Sequence, residues 1–398
     1  MEITSPPSFL LLILLAIGLA WWAGYRSRFR KIPGIKQSFD QEYFIGLNYL
    51  LNDEPDDAID LFIDALELSS DTLETHLALC TLLRRRGAVD RAITQSQFLL
   101  NNQKFTLIQT GEIKLNLVRS YIAAGLFDRA EQMLRELNSA SPQIREAALG
   151  LAMTVFQMEK DWKQALSAAM ELLTICPAVK RPELQMQSSH YYCELAEVAL
   201  NHNDLQSARA ELQNALQITR NNVRVYLLLG SIEALTGNFQ EAVRILQKVV
   251  QYDPSFASEA TAGLLENMQK AGMENQISWM LEGGQTENLG FRQFQEIVSN
   301  IQKSQGDAAA LALLQRHLYK NPSLAVLAQI FAYAAKSSVQ EQSAVLEIGT
   351  AFLNMHLHHS PNYRCENCGF ELKNLHWLCP SCSKWGIVKP IEGKFTFH

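Results

Sequence analysis

Apolar positions along this 398-residue chain fall into two patterns. Near the N-terminus they are continuous: Phe9 to Ala23 carries no charged or strongly polar side chain, and Ser8 to Tyr25 threads as a single apolar helix. Such a helix rises ~27 Å, close to the ~30 Å hydrocarbon thickness of a bilayer. Pro6 and Pro7 suit its start, and Trp21, Trp22 and Tyr25 place amphipathic rings at one end, where they favour the headgroup level. From Asp40 onward the pattern becomes periodic, repeating at about 34 residues, the length of a tetratricopeptide helix pair. The first unit shows Gly46-x2-Tyr49 on one helix and Ala58-x3-Phe62 with Ala65 on the next. Small residues let the two antiparallel helices approach closely, and the larger ones fill the space beside them.

The close-packed alanine recurs at Ala92, Ala130, Ala165, Ala208 and Ala242, spaced 34, 38, 35, 43 and 34 residues apart from Ala58 onward. The two longer intervals predict loop insertions near Asn101–Thr106 and Ala178–Gln185. Turns are expected at Arg86-Gly87, Ala124-Gly125 and Thr236-Gly237-Asn238, and Pro142, Pro177 and Pro254 close units. Weaker units are predicted from Ser255 to Gly284, from Phe291 to Pro322 (turning at Gly306-Asp307) and from Ser323 to His356. Eight or nine helix pairs of this kind stack into a curved solenoid that offers an extended recognition surface.

The last forty residues break the period and bring in chemistry. Cys365-x2-Cys368 and Cys379-x2-Cys382 are two knuckles ten residues apart, the spacing that converges four thiolates on one tetrahedral ion. A piece as short as Pro361–His398 has too little core to fold without such a staple. Zinc and iron both suit four thiolates. The remaining cysteines, Cys80, Cys176 and Cys193, are scattered singly, which argues for a reducing compartment rather than a disulfide framework.

Charge orients the chain and removes one function class. Arg26, Arg28, Arg30 and Lys31 follow the apolar run, whereas Glu2 and no Lys or Arg precede it. A cleaved signal peptide needs the reverse, and the positive-inside rule leaves everything after Tyr25 in the cytoplasm. Residues 32–360 carry 26 basic and 37 acidic side chains, a net −11 that does not suit nucleic acid. The domains are therefore read as residues 1–31, anchor and basic flank; 32–356, an all-α tetratricopeptide array; and 357–398, the metal module.

Other candidates read as structure. Met153, Met158, Met170 and Met186 are expected to fill gaps, and Arg84-Arg85-Arg86 to solvate the negative end of a helix before Gly87. His190 to Glu194 puts a His and a Cys three apart on one face, which reads as packing without a nucleophile motif. His356, His358 and His359 read as a solvated linker beside the metal module. No phosphate loop, nucleophile elbow or H-E-x-x-H helix occurs, so no enzyme is expected.

With anchor, array and four-cysteine module in this order, the chain resembles the lipopolysaccharide assembly protein B family. The resemblance is carried most specifically by Ala123 to Ala130, Tyr192 to Ala196, and Tyr363 through Trp385. It implies an inner-membrane, cytoplasm-facing regulator of lipopolysaccharide synthesis that acts with the protease FtsH to promote degradation of the deacetylase LpxC. It further implies an association with an inner-membrane lipopolysaccharide sensor, and it is compatible with a homodimer. The terminal module would be rubredoxin-like, with Cys365, Cys368, Cys379 and Cys382 as ligands. Ser383 stands where a rubredoxin has glycine, and the spacer is shorter, both of which count against electron transfer. The rival reading is a membrane-anchored redox protein with an iron–thiolate centre.

Overall fold

The computed structural model describes Trp21 and residues 72–102, 105–273, 291–320, 324–337, 340–357 and 361–391. Among these, no helix is long and apolar enough to cross a membrane. The predicted anchor, Trp21 excepted, and the first repeat with Gly46, Tyr49, Ala58 and Phe62 lie outside them. The chain forms two compact units, residues 1–144 and 145–398.

The first unit contains α1 (Leu73–Arg85), α2 (Val89–Leu100), α3 (Leu107–Ala123) and α4 (Phe127–Glu136). Helix α5 (Pro142–Glu159) begins three residues before the division, and the second unit continues with α6 (Trp162–Ile175), α7 (Arg181–Asn201), α8 (Leu205–Ile218), α9 (Val223–Leu235), α10 (Phe239–Tyr252) and α11 (Ala257–Lys270). After residues that are not described come α12 (Phe291–Gln305), α13 (Asp307–Lys320), α14 (Leu324–Ser337) and α15 (Gln340–Leu357).

The period is visible in the packing. Ala92, Ala130, Ala165, Ala208 and Ala242 each occupy the fourth position of the second helix of a pair, and each is completely buried. Ala310 does the same in α13. No larger side chain fits where two helix backbones approach this closely.

Between the helices of six pairs whose turns are described the chain passes through one left-handed residue, which supplies the turn that the helix itself cannot make. Gly87, Gly125, Gly237 and Gly306 occupy it where predicted, but Lys160 (φ 59°) and Asn203 (φ 58°) do so in two other pairs. Forcing a side chain into this region costs roughly 1 kcal/mol. The next residue helps to offset it: Asp161 and Asp204 cap α6 and α8, accepting hydrogen bonds from the amides of Gln164 and Ser207 at 3.1 and 3.0 Å.

The insertion expected near Ala178–Gln185 is not a loop. A 3-10 turn at Ala178–Lys180 leads directly into α7, whose 21 residues absorb the extra length as helix. Pro182 in its first turn has no amide to leave unpaired, so the helix can start there without cost.

A small antiparallel sheet of order β2-β1-β3 follows, with β1 at Tyr363–Cys365, β2 at Glu371–Leu372 and β3 at Val388–Pro390. Tyr363 lies opposite Leu372 on one side and Pro390 on the other, and Cys365 lies opposite Val388. The sheet holds one knuckle at its edge and brings the chain back past the second.

Candidate metal centre

Each knuckle is a tight turn closed by backbone hydrogen bonds. In the first, the Gly369 amide donates to the Cys365 carbonyl and the Cys365 amide to the Phe370 carbonyl, both at 2.9 Å. In the second, Ser383 donates to Cys379 and Cys379 to Lys384, again at 2.9 Å. The two turns therefore repeat one design, and each needs a left-handed residue immediately after its second cysteine. Gly369 takes φ 74°, and Ser383 takes φ 54° in the equivalent place. The serine departs from the rubredoxin pattern without changing the shape of the turn.

The four sulfurs all lie within 4.8 Å of one another. Cys365 Sγ is 3.7 Å from Cys382 Sγ, and Cys368 Sγ is 3.7 Å from Cys379 Sγ. A tetrahedral ion with metal–sulfur bonds of ~2.3 Å requires sulfur–sulfur edges of ~3.8 Å, whereas a disulfide requires ~2.05 Å. The arrangement fits a metal and excludes a bridge. Zinc and iron are both accommodated. The sulfurs differ in their surroundings. Cys379 is buried, and desolvation pushes its thiol up to about 11; Cys368 is exposed, and the Phe370 amide lowers it to about 7. When bound, an ion supplies the positive charge that keeps all four as thiolates.

The module does not stand apart from the repeats. Trp385 is inserted among Trp162 of α6 and His190 and Tyr191 of α7, with ring centroids 6.1, 5.1 and 5.8 Å away. Its indole N–H donates to Gln157 Oε1 of α5 at 2.8 Å. Trp377 stacks on Phe256 at 5.3 Å and lies 5.8 Å from the Arg224 guanidinium. Arg224 is itself buried and held by Glu194 and Glu197 at 2.8 and 2.7 Å. At the edge of the seat Lys389 pairs with Asp253, and the Tyr363 hydroxyl donates to Glu259 at 2.8 Å. Gly386 is the point of closest approach. At φ 68°, a Cβ there would come 2.9 Å from His190 Nε2.

The remaining sequence candidates separate cleanly. Cys193 is fully buried, and desolvation pushes its thiol up to about 12, which makes it core rather than nucleophile. His190 is part of the module's seat. Met153 is buried as expected, but Met158 and Met170 are exposed, and Met186 lines a cleft with Glu183, Lys384 and Trp385. Arg84 is not a free solvated cation, because Asn116, Ser120 and Thr81 hold its guanidinium. His356 lies in the last turn of α15, and His358 and His359 are outside the described residues. Sequence reasoning missed the seat itself. Its one available signal was two tryptophans in a module too small to bury them internally.

Comparison with known proteins agrees with this geometry. A family described as "Rubredoxin metal binding domain" matches residues 363–390, and two tetratricopeptide repeat families match residues 115–179 and 199–265. Lipopolysaccharide assembly protein B of Escherichia coli (strain K12) is 32% identical over 387 residues, covering 96% of this chain and 97% of the relative. The chain belongs to the lipopolysaccharide assembly protein B family. The Haemophilus influenzae member is 31% identical over 396 residues, covering 96% of this chain and 98% of its own. A solved tetratricopeptide repeat protein from Parabacteroides merdae aligns with 72% of this chain and all of its own at 14% identity, with a TM-score of 0.33. Repeats closed by a rubredoxin-type metal module give family members a non-enzymatic adaptor architecture.

Proposed function

We propose that this chain is a membrane-tethered adaptor in lipopolysaccharide synthesis, bringing the deacetylase LpxC to the protease FtsH for degradation. The observation that carries this reading is the end-to-end match, over 96% of the chain, to relatives named for lipopolysaccharide assembly. The apolar run from Phe9 to Ala23, with Arg26, Arg28, Arg30 and Lys31 after it, supplies the tether and sets the repeats in the cytoplasm. Tethering confines adaptor and protease to one plane and raises their effective concentration without any new contact. The inner-membrane lipopolysaccharide sensor restrains this activity.

In this scheme the metal is structural. It closes the small module, and the module completes the surface of the repeats through Trp377 and Trp385. The test is the half-life of LpxC in cells depleted of this chain, with FtsH present and absent. Depletion should lengthen the half-life only when FtsH is present. An unchanged half-life would contradict the adaptor and favour an iron–thiolate redox protein.

A further inference from the structure

Buried or half-buried arginines in the second unit have acidic partners. Arg145 pairs with Glu171 at 2.6 Å, Arg209 with Glu233 at 2.7 Å, and Arg224 with both Glu194 and Glu197. Arg84, in the first unit, does not. Its Nη1 donates to Asn116 Oδ1, to Ser120 Oγ at 3.2 Å and to the Asn116 carbonyl at 3.5 Å, and its Nη2 donates to Thr81 Oγ1 at 2.9 Å. All of these acceptors are neutral. Asn116 is fixed in turn by donating from Nδ2 to the Leu77 carbonyl at 3.1 Å, and Ser120 by donating to the Asn116 carbonyl at 3.1 Å. The guanidinium is thus held rigidly between α1 and α3, the first helices of successive pairs, while Nε–H makes no hydrogen bond among the described residues.

A second cation is set beside it. Arg119 is exposed on α3 next to Ser120 and makes no ion pair among the described residues. Burial and the nearby Arg119 charge together lower the Arg84 pKa despite the opposing effect of Cys80, so the pair carries an electrostatic cost. The segment around them shares this sign. Residues 73–144 hold nine basic and six acidic side chains, a net +3 inside an array that sums to −11. A half-buried, pre-oriented guanidinium with a like charge alongside and no carboxylate partner among the described residues is arranged to receive one, since its planar fork matches a carboxylate's two oxygens.

We propose that Arg84, supported by Arg119, is a docking point for an aspartate or glutamate side chain on an extended acidic segment of a partner protein. Neutral hydroxyl and amide groups aim the fork across two packed helices, the placement at which repeat arrays receive extended peptides. This inference stands on the first unit's geometry and holds whichever client the adaptor serves.

The test uses the full-length chain in detergent micelles and a fluorescein-labelled peptide alternating Glu with Gly, read by fluorescence anisotropy against its Gln-for-Glu counterpart. Binding should require the glutamates and weaken as salt rises. Arg84→Gln should weaken it about tenfold or more, as for loss of a charge-assisted hydrogen bond, and Arg119→Gln about threefold, as for an exposed pair. Arg129→Gln with Arg135→Gln, which removes two positive charges from α4 where each of those variants removes one, should leave it unchanged. Because Arg84→Gln removes hydrogen bonds that support α1 and α3, Arg119→Glu provides a second arm. It should abolish Glu-peptide binding with an unchanged thermal transition. Equal losses in the α4 control would overturn the site in favour of diffuse electrostatics. Binding of phosphatidylglycerol vesicles through Arg84 and Arg119, with none of the peptide, would overturn it in favour of a lipid surface.

Discussion

Replacing Trp385 by alanine should detach the metal module from the repeats while leaving its metal in place. Trp385 is 8% exposed, contacts three aromatic rings and donates to Gln157. Truncating a tryptophan so placed costs about 3–5 kcal/mol. Gln157 Oε1 keeps a donor, the Tyr191 hydroxyl at 3.2 Å, so no buried acceptor is orphaned and the loss is one of packing. The module's polar ties are weaker. Lys389 and Asp253 are each about a quarter exposed, which limits their pair to about 1 kcal/mol, and the Tyr363–Glu259 bond adds a comparable amount. The ion, by contrast, holds the module's own fold with an apparent ~10–16 kcal/mol. Docking should therefore fail far more readily than metal binding. Pulse proteolysis across a urea series, with mass spectrometry to identify the released segment and elemental analysis of the protein, separates the two events. Trp385→Ala should release residues 361–391 at lower urea while keeping one ion per chain. Release at unchanged urea, or loss of the ion together with the seat, would refute the reasoning.

Three further outcomes follow from the same geometry. Cys379→Ser should lose the ion and unfold residues 361–391, and elemental analysis showing full metal occupancy would contradict a four-thiolate site. Gly386→Ala should undock the module with its ion retained, at a cost of about 1–3 kcal/mol from left-handed strain and contact with His190; the same pulse proteolysis reads it. Docking should also weaken in mild acid. Burial, reinforced by the nearby Arg224 charge, holds the His190 imidazole well below the usual 6.5, and neither ring nitrogen has a hydrogen-bond partner among the described residues. The unfolded chain therefore binds more protons below pH 6.5. Stability from this group is complete above 6.5 and falls below it by up to about 1.4 kcal/mol per pH unit, until the folded pKa is reached. Urea midpoints at pH 7.5 and 5.5 should differ in the native protein and converge in His190→Gln.

What the sequence made legible was local. The buried alanines from Ala92 to Ala242 follow from a fixed spacing on a helix, and the four cysteines from two knuckles, because each pattern is set by residues close in the chain. The left-handed turns at Lys160 and Asn203 were less visible, since glycine normally marks that conformation and here only the capping Asp161 and Asp204 betray it. The 43-residue interval gave the length of the insertion but not its form, because Arg181 to Gln185 can extend a helix as readily as fill a loop. The seat was out of reach. Trp385 and Gln157 are 228 residues apart, and no periodicity connects them. Arg84 was misread because a run of three arginines at a helix end predicts solvation, whereas Asn116 and Ser120, 32 and 36 residues on, decide where its guanidinium lies.

The central structural claim is that the ion acts on the repeats through the module seated on them. Hydrogen exchange of the full-length chain, with its metal bound and after chelation, tests it directly. Removing the ion should speed exchange in the module and also at His190 and Tyr191 of α7 and at Phe256, which lie against Trp385 and Trp377, while α1 to α4 remain protected as before. Faster exchange confined to residues 361–391, with α7 unchanged, would show that the module is only a neighbour of the array and would contradict the account.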